Sequence, residues 1–178
     1  RRLQQLGDSD ERGASSSLNP RDRAVVVGYG PTGRTVARLL RDNDISPTII
    51  ELNIDTVRDL RQHGTSAVYG DARSIDTLVT AGVRHADTLI VSGADSGASE
   101  TIRNARELNP DLHVFARGAY LRDVPSLRGA GAEQVFSGEG EVALAMTEAV
   151  LRRLGATPEQ IDRERVRVHE DLFGQPST

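Results

Sequence analysis

A glycine-rich turn between an apolar segment and an amphipathic segment constrains the fold of this chain more than any other feature. In AVVVGYGPTGRTVARLL, the glycines Gly28, Gly30 and Gly33 follow the apolar residues 24–27. We predict a strand, a tight turn and then a helix whose apolar side is formed by Val36, Leu39 and Leu40. The first glycine permits the turn, the second lets a pyrophosphate approach the backbone, and the third lets the helix pack close to the strand. The amides and the dipole at the helix start attract anions, so this segment predicts a nucleotide site.

The residues inside the turn fit the same prediction. Pro31 suits the first position of a helix, where no amide hydrogen is needed, and Thr32 places a hydroxyl near the expected phosphates. Arg34 either neutralises phosphate charge or lies in solvent, and the sequence leaves both open.

The rest of the chain alternates short apolar runs with segments of helical periodicity. We predict six strands, at residues 24–28, 47–51, 67–70, 88–92, 113–117 and 134–137. Alternating strands and helices are typical of a parallel sheet that is covered by helices on both faces. Only 3% of the residues are aromatic, so the core must consist of Val, Leu, Ile and Ala, which suits such a sheet. The predicted fold class is therefore α/β, with a doubly wound, mostly parallel six-stranded sheet.

Ligands of such folds bind at the carboxyl ends of the strands, so the residues that end each strand are candidates for the site. Glu51 ends the second strand at close to the spacing from the glycines, about 20 residues, at which an acidic side chain binds ribose hydroxyls. Its carboxylate would repel a 2′-phosphate, which favours NAD(H) or AMP over NADP. Leu52 follows it and joins the candidate cofactor-binding residues. The alternative is that Glu51 only caps or solvates the strand end.

Three polar residues that follow predicted strands can act as helix caps. Asp71, in YGDAR, either contacts the adenine or ribose of a nucleotide or caps a helix that begins near Ser74. Asp95 and Ser96 are predicted to be helix caps.

Small residues follow the fourth strand, and an arginine closes the fifth. Ser92, Gly93 and Ala94 would let a ligand lie close to the backbone, although they suit any tight turn. Arg117, in FARG, would point toward the crevice that binds phosphate, and the alternative is a surface ion pair. The candidate site thus consists mainly of glycines, carboxylates and an arginine.

Residue types that catalysis needs are missing from the sequence or lie in the wrong places. The chain contains no lysine, which excludes a P-loop, and no cysteine, which excludes thiolate metal sites and a cysteine nucleophile. None of the four histidines ends a predicted strand or lies at metal-ligand spacing: His63, His85, His113 and His169. We therefore predict that the protein is not an enzyme and holds no metal ion.

Charge and hydropathy limit the partners. The net charge is −4 and there is no basic tract, which argues against nucleic acid. No window approaches ~20 apolar residues, so the sequence predicts no membrane span. Residues 1–22 are polar and predict a flexible linker or leader, and the start at Arg1 suggests a piece of a longer chain. We predict a domain over 23–154 after this linker, and a helical tail over 155–178.

The predicted helix over 139–154 is apolar on two sides. One stripe consists of Val142, Ala145, Met146, Ala149 and Val150. The opposite side carries Leu144 and Leu151. One of the two sides can cover the sheet of the same chain, and we expect the same helix of a second copy to cover the other, because a twofold contact uses one patch twice. The alternative is that the tail folds back over it through its own apolar residues, Ile161, Val168, Leu172 and Phe173.

Five segments of the chain form a specific combination in a fixed order: GYGPTG, Glu51, YGDAR, LIVSGADSGASETI and HVFARG. Together they resemble the RCK family of Rossmann domains, the regulators of potassium conductance that are also called TrkA-N. The resemblance covers residues 24–154. Within this family the chain most resembles the C-terminal cytosolic domains of Kef-type potassium:proton antiporters, through SLRGAGAEQVF and the long helix EGEVALAMTEAVLRRLG.

The resemblance implies a regulatory domain at the cytoplasmic face of the cell membrane, covalently preceded by a membrane antiporter domain. Such a domain binds NAD(H) or AMP, forms a homodimer through the 139–154 helix and controls ion flux through ligand-dependent shifts in the dimer. The resemblance assigns the nucleotide to Gly28, Gly30, Gly33, Glu51, Asp71, Ala72 and Arg117. Pro31 departs from the family pattern, because many members have arginine there in GRFG, and this weakens the case for a triphosphate ligand.

Two other functions stay open at this point. One is the NAD-binding half of a dehydrogenase whose substrate domain lies elsewhere, although the sequence offers no catalytic acid for it. The other is a dimerisation module whose cleft no longer binds a ligand, since a fold alone does not prove binding.

Overall fold

The structure is a computed structural model that describes residues 23–94 and 97–174. The predicted linker over 1–22 and the predicted caps Asp95 and Ser96 lie outside these ranges. Six strands form one sheet: β1 (Ala24–Val27), β2 (Thr48–Glu51), β3 (Ala67–Tyr69), β4 (Thr88–Val91), β5 (His113–Gly118) and β6 (Gln134–Ser137).

The strands lie side by side in the order β3, β2, β1, β4, β5, β6, and every pairing between them is parallel. This confirms the predicted doubly wound α/β sheet. The order of the strands reverses between β1 and β4, so a crevice opens where their carboxyl ends meet. The observed strand ends differ from the predicted ones by no more than one residue, because each apolar run is bounded by polar or glycine residues.

Seven α-helices lie in the described ranges: α1 (Pro31–Asp42), α2 (Ile54–Gln62), α3 (Ile75–Thr80), α4 (Ala98–Leu108), α5 (Val124–Gly129), α6 (Gly138–Arg153) and α7 (Pro158–Phe173). α1 and α2 pack on one face of the sheet, against Val26 and Ile49, while α3, α4 and α5 pack on the other, against Val25 and Ile50. Successive strand residues point to opposite faces, which explains these two sets. In the part of the chain that the structure describes, no helix combines the length and the apolar character that a membrane crossing requires.

The apolar side of α1 differs from the predicted one at a single position. The buried residues of this helix are Gly33 and Ala37, while Val36 and Leu40 are half-buried. Leu39 is 61% exposed, so its prediction as part of the apolar side is wrong. The buried side is centred on the two smallest residues, and at about 100° per residue Leu39 lies more than a quarter turn away from them.

Helix α6 has one covered side and one open side. α7 folds back against it, which buries Ile161 and Phe173, and Leu144 packs against the main core. Gly140 permits this contact, because a Cβ atom there would lie 2.3 Å from Cζ of Phe173. The predicted stripe remains 58%, 64% and 56% exposed at Val142, Met146 and Val150. The tail thus folds back, but it covers the other side of α6 and leaves the stripe open.

Candidate functional site

A cavity of about 350 Å³ opens at the carboxyl ends of β1, β2, β3 and β4. Its walls include six residues that were predicted for the site: Gly28, Glu51, Leu52, Asp71, Ala72 and Gly93. They also include Arg73 and Thr101, which were not predicted. The cavity lies where the strand order reverses, which is the general position of ligand sites in open α/β sheets.

The three glycines of the first turn have different structural roles. Gly28 has a φ of +89°, a left-handed conformation that glycine adopts without strain. A Cβ atom on Gly33 would lie 2.1 Å from the carbonyl oxygen of Gly28, so only glycine lets α1 approach β1 this closely. Apart from Gly30 and its chain neighbours Tyr29 and Pro31, no described residue has an atom within 4 Å of the place where a Cβ atom on Gly30 would stand. The space beside Gly30 is therefore open to a ligand.

The amino end of α1 borders this turn. Gly30 is the N-cap residue and Pro31 occupies the first turn, which confirms the predicted helix start. The amide of Arg34 donates a hydrogen bond of 2.9 Å to the carbonyl of Gly30. The amides that precede it in the first turn, such as that of Thr32, have no partner within the helix. Amides without a partner in the helix and the helix dipole are the features by which a helix start attracts anions.

Glu51 connects the end of β2 to the glycine turn. Its Oε2 accepts a hydrogen bond from the amide of Tyr29 at 2.8 Å, and its Oε1 accepts one from the amide of Asn53 at 2.9 Å. A carboxylate offers about four acceptor positions, so roughly two remain for the hydroxyl groups of a ribose. Glu51 therefore holds the turn in place and retains acceptor positions at the cavity wall.

Asp71 forms an ion pair with Arg73 beyond the end of β3. Nη2 of Arg73 donates to Oδ2 of Asp71 at 2.6 Å, and Nε lies 3.1 Å from Oδ1 and 3.0 Å from Oδ2. These hydrogen bonds from the guanidinium hold the pKa of Asp71 below its usual range. Ser74 is the N-cap residue of α3. The sequence signal for Arg73 was its place two residues after Asp71, the acid that follows β3, where a short turn lets the two side chains meet.

Other predicted residues line separate cavities. Thr32 and Ser92 line an apolar cavity of about 350 Å³ on the sheet face that carries α1. The hydroxyl of Ser92 donates toward the carbonyl oxygen of Gly28, at 3.0 Å, and so joins the end of β4 to the turn. Ala94 and Arg117 line a cavity of about 160 Å³ near the start of α4. The structure does not bring these four residues to the walls of the main cavity, and Gly30, Pro31 and Gly33 of the glycine turn are not among its wall residues either.

The histidines lie away from the main cavity. Nδ1 of His113 is 2.7 Å from Oε2 of Glu133 at the amino end of β5, and the ring of His169 stacks near that of Phe173. Within residues 23–94 and 97–174, no three His, Cys, Asp or Glu side chains form a group that could hold a metal ion. The cavity walls supply amides, carboxylates, a guanidinium group and apolar side chains.

The chain is similar in sequence to known proteins. The sequence model of the TrkA-N domain matches residues 24–138. Over 130 residues the chain is 35% identical to "Putative cation/proton antiporter YbaL" of Escherichia coli (strain K12), and this alignment covers 71% of the chain and 23% of YbaL. The chain thus spans about a quarter of the length of this relative.

Solved structures have the same fold. The crystal structure of the TrkA-N domain of inner membrane protein YbaL from Escherichia coli matches with a TM-score of 0.70 and 34% identity, over 72% of this chain and 96% of that one. The GsuK channel bound to NAD matches with a TM-score of 0.65 and 21% identity, over 80% of this chain and 27% of that one. The Kef C-terminal domain of Shewanella denitrificans, in its AMP-bound form, matches with a TM-score of 0.62 and 22% identity, over 84% of this chain and 96% of that one. The family match and the similarity to YbaL confirm the resemblance seen in the sequence: the chain belongs to the TrkA-N domain family.

Proposed function

We propose that this chain is a regulatory domain that binds a nucleotide, NAD(H) or AMP, and controls an attached monovalent cation (potassium):proton antiporter. The observation that carries the proposal is that Gly28, the first glycine of the turn, and Glu51 line one cavity, while the Glu51 carboxylate also binds the amide of Tyr29 in the turn that leads into α1. Such a set binds the phosphates and the ribose of a nucleotide. The described cavity walls contain no histidine, and the chain has no lysine or cysteine, so binding without conversion fits them best.

The ligand would lie across the ends of the strands. Its phosphates would contact the backbone at Gly30 and the first turn of α1, its ribose would bind Glu51, and its base would lie near Leu52 and Ala72. Arg117 is the penultimate residue of β5, which is separated from β1 by β4, so it would contact only a ligand that extends past β4. A dinucleotide such as NAD has that length, whereas AMP does not.

The nature of the nucleotide is supported by two kinds of observation. The acceptor positions of Glu51 suit two ribose hydroxyls, while a 2′-phosphate would meet a carboxylate, so NAD fits better than NADP. Among proteins with this fold, the GsuK channel is bound to NAD and the Kef C-terminal domain to AMP.

The partner domain and the second copy are also part of the proposal. YbaL is a much longer protein than the stretch that aligns here, which supports a membrane antiporter domain in the same polypeptide and a location at the cytoplasmic face of the membrane. The exposed stripe on α6 supports a homodimer in which the two α6 helices contact each other. In such a dimer, a nucleotide that binds one arrangement more tightly shifts the population toward it, and the attached transporter responds to the shift.

The proposal is tested by measuring nucleotide affinity with isothermal titration calorimetry. We expect NAD, NADH or AMP to bind, and NADP to bind more weakly than NAD. Glu51→Ala should weaken binding by about tenfold or more, because it removes the charged group that would accept hydrogen bonds from the ribose hydroxyls. The matched control is Glu107→Ala, which removes an exposed carboxylate on α4 away from the cavity walls.

Two results would contradict the proposal. If neither the dinucleotides nor AMP bind to the native protein, the cavity is not a nucleotide site. If Glu51→Ala and Glu107→Ala bind NAD and AMP equally well, the assigned ribose contact is wrong. For the regulatory step, flux through the full-length antiporter in vesicles should respond to the nucleotide, and Glu51→Ala should remove that response.

A further inference from the structure

Arg73 lies at the end of the cavity where the base of a nucleotide would be. The glycine turn follows β1, Glu51 ends β2, and Asp71 and Arg73 follow β3 at the edge of the sheet. Neighbouring strands are about 4.8 Å apart, so β3 is roughly 10 Å from β1. A nucleotide with its phosphate at the turn and its ribose at Glu51 would therefore place its base beside Arg73. This step rests on the function proposed above.

The guanidinium of Arg73 is held in a fixed position. Nη2 and Nε contact the carboxylate of Asp71, the amide of Arg73 donates to Oδ1 of Asp71 at 2.9 Å, and Nδ2 of Asn104 donates to the carbonyl of Arg73 at 2.8 Å. Three N–H groups of Arg73, those of Nη2, Nε and the backbone amide, thus occupy most of the roughly four acceptor positions of the Asp71 carboxylate. Asp71 therefore has little acceptor capacity left for a ligand, and its main contact at the cavity is Arg73.

The chemistry of this pair suits an uncharged ring better than a phosphate. The carboxylate of Asp71 neutralises the guanidinium, so the pair attracts an anion less than a lone arginine would. The guanidinium remains planar, and such a plane stacks on aromatic rings. Leu52, a wall residue of the same cavity, is 64% exposed and offers apolar surface for a ring to cover.

We infer that Arg73 contacts the nucleobase of the bound nucleotide through the face of its guanidinium, and that Asp71 is the positioning residue that holds it there. Asp71 then acts on ligand affinity through Arg73 rather than through a direct hydrogen bond to the adenine. The pair recognises a planar ring, and it has no role in holding the phosphate.

The test compares AMP with ribose 5-phosphate, which has the same phosphate and sugar but no base. Amide chemical shifts in NMR titrations give both affinities, including millimolar ones. We expect Arg73→Ala to weaken AMP binding by about two- to fivefold and to leave ribose 5-phosphate unchanged. Arg73→Lys keeps the charge but loses the planar group, so it should weaken AMP binding nearly as much.

A double substitution tests the positioning role of Asp71. We expect Asp71→Asn to weaken AMP binding in the native background and to add nothing in the Arg73→Ala background, because its effect passes through Arg73. A full additional loss in the double variant would show a direct contact between Asp71 and the base, and would overturn the assigned role.

Other outcomes overturn the inference about Arg73. Equal losses for AMP and ribose 5-phosphate would place its contact at the sugar or phosphate, and full affinity of Arg73→Lys would show that only charge matters. If native protein binds AMP and Arg73→Ala binds it equally well, the inference fails while the proposed function stands. If native protein binds neither NAD nor AMP, the proposed function fails with it.

Discussion

At the residue scale, Gly30 and Gly33 separate a ligand requirement from a folding requirement within one turn. We predict that Gly33→Ala lowers the free energy of unfolding by at least about 1–3 kcal/mol, because its Cβ atom would overlap the carbonyl oxygen of Gly28. Gly30→Ala should lower the free energy of unfolding by less than about 1 kcal/mol, since the new methyl group meets no described residue beyond its chain neighbours and only the N-cap preference is lost. Gly30→Ala should nevertheless weaken NAD and AMP binding by about tenfold, because its methyl group occupies the space in which the phosphate of the ligand would lie.

Chemical denaturation and calorimetry on the two variants check this pair of predictions. Each variant is the control for the other, since both replace glycine by alanine within four residues of chain. An alanine at Gly30 that binds nucleotide as well as the native protein would show that the open space beside it is not used.

The ion pair at Asp71 leads to a prediction about pH. Arg73 lowers the pKa of Asp71 in the folded state, so the pair stabilises the fold at pH values above about 3.9, the usual pKa of an aspartate. That contribution is lost as the pH falls through the lowered pKa of the folded state. Both side chains are partly exposed, so we expect the ion pair to contribute less than about 1 kcal/mol to the free energy of unfolding at neutral pH.

The measurement compares native protein with Arg73→Ala. The difference in their free energies of unfolding should be present at pH 6 and should shrink toward zero below the lowered pKa. Carboxyl NMR should show the pKa of Asp71 moving upward in the variant. A difference that is constant with pH would mean that Arg73 stabilises the protein through packing rather than charge.

At the scale of elements, α6 supports a prediction about assembly. Met146 is at the middle of the exposed stripe, so Met146→Glu would place a charge in a dimer interface formed there. We predict that it raises the dimer dissociation constant by at least about tenfold and leaves the fold intact, because the side chain contacts solvent in the single chain. Sedimentation or light scattering as a function of concentration measures this.

The control for assembly is Val166→Glu on α7. Val166 is also exposed and apolar, but it lies on another helix. If both substitutions weaken the dimer equally, or if the native protein is a monomer at all concentrations, α6 does not form the interface.

The strands were predictable from the sequence to within a residue, whereas the side chains around the cavity were only partly predictable. Gly28 and Glu51 were identified because their roles follow from local backbone geometry and spacing. Ser92 was also placed at the correct strand end, but its hydroxyl bonds to the carbonyl of Gly28, which a period-two pattern does not specify. Arg73 was missed because its role depends on an ion pair that forms only once the turn after β3 is folded.

At the scale of the whole molecule, regulation requires that the nucleotide site and the dimer contact be energetically linked. Linkage is reciprocal: if AMP tightens the dimer by some factor, dimerisation must tighten AMP binding by the same factor. The main cavity and the α6 stripe share no residue, so the coupling would pass through the sheet and the contacts of α6 with its neighbours.

We therefore predict that two independent ratios agree. The first is the dimer dissociation constant without AMP divided by that with saturating AMP, and couplings of this kind are typically about 5- to 150-fold. The second compares the AMP affinity of the native dimer with that of the Met146→Glu monomer, with Val166→Glu as the control that remains dimeric. Equal ratios well above one would mean that nucleotide occupancy biases the dimer, which an attached transporter needs in order to respond. If AMP binds the monomer and the dimer equally tightly, dimerisation carries no signal from the cavity, and any control of ion flux must pass directly from the nucleotide-binding domain to the membrane domain.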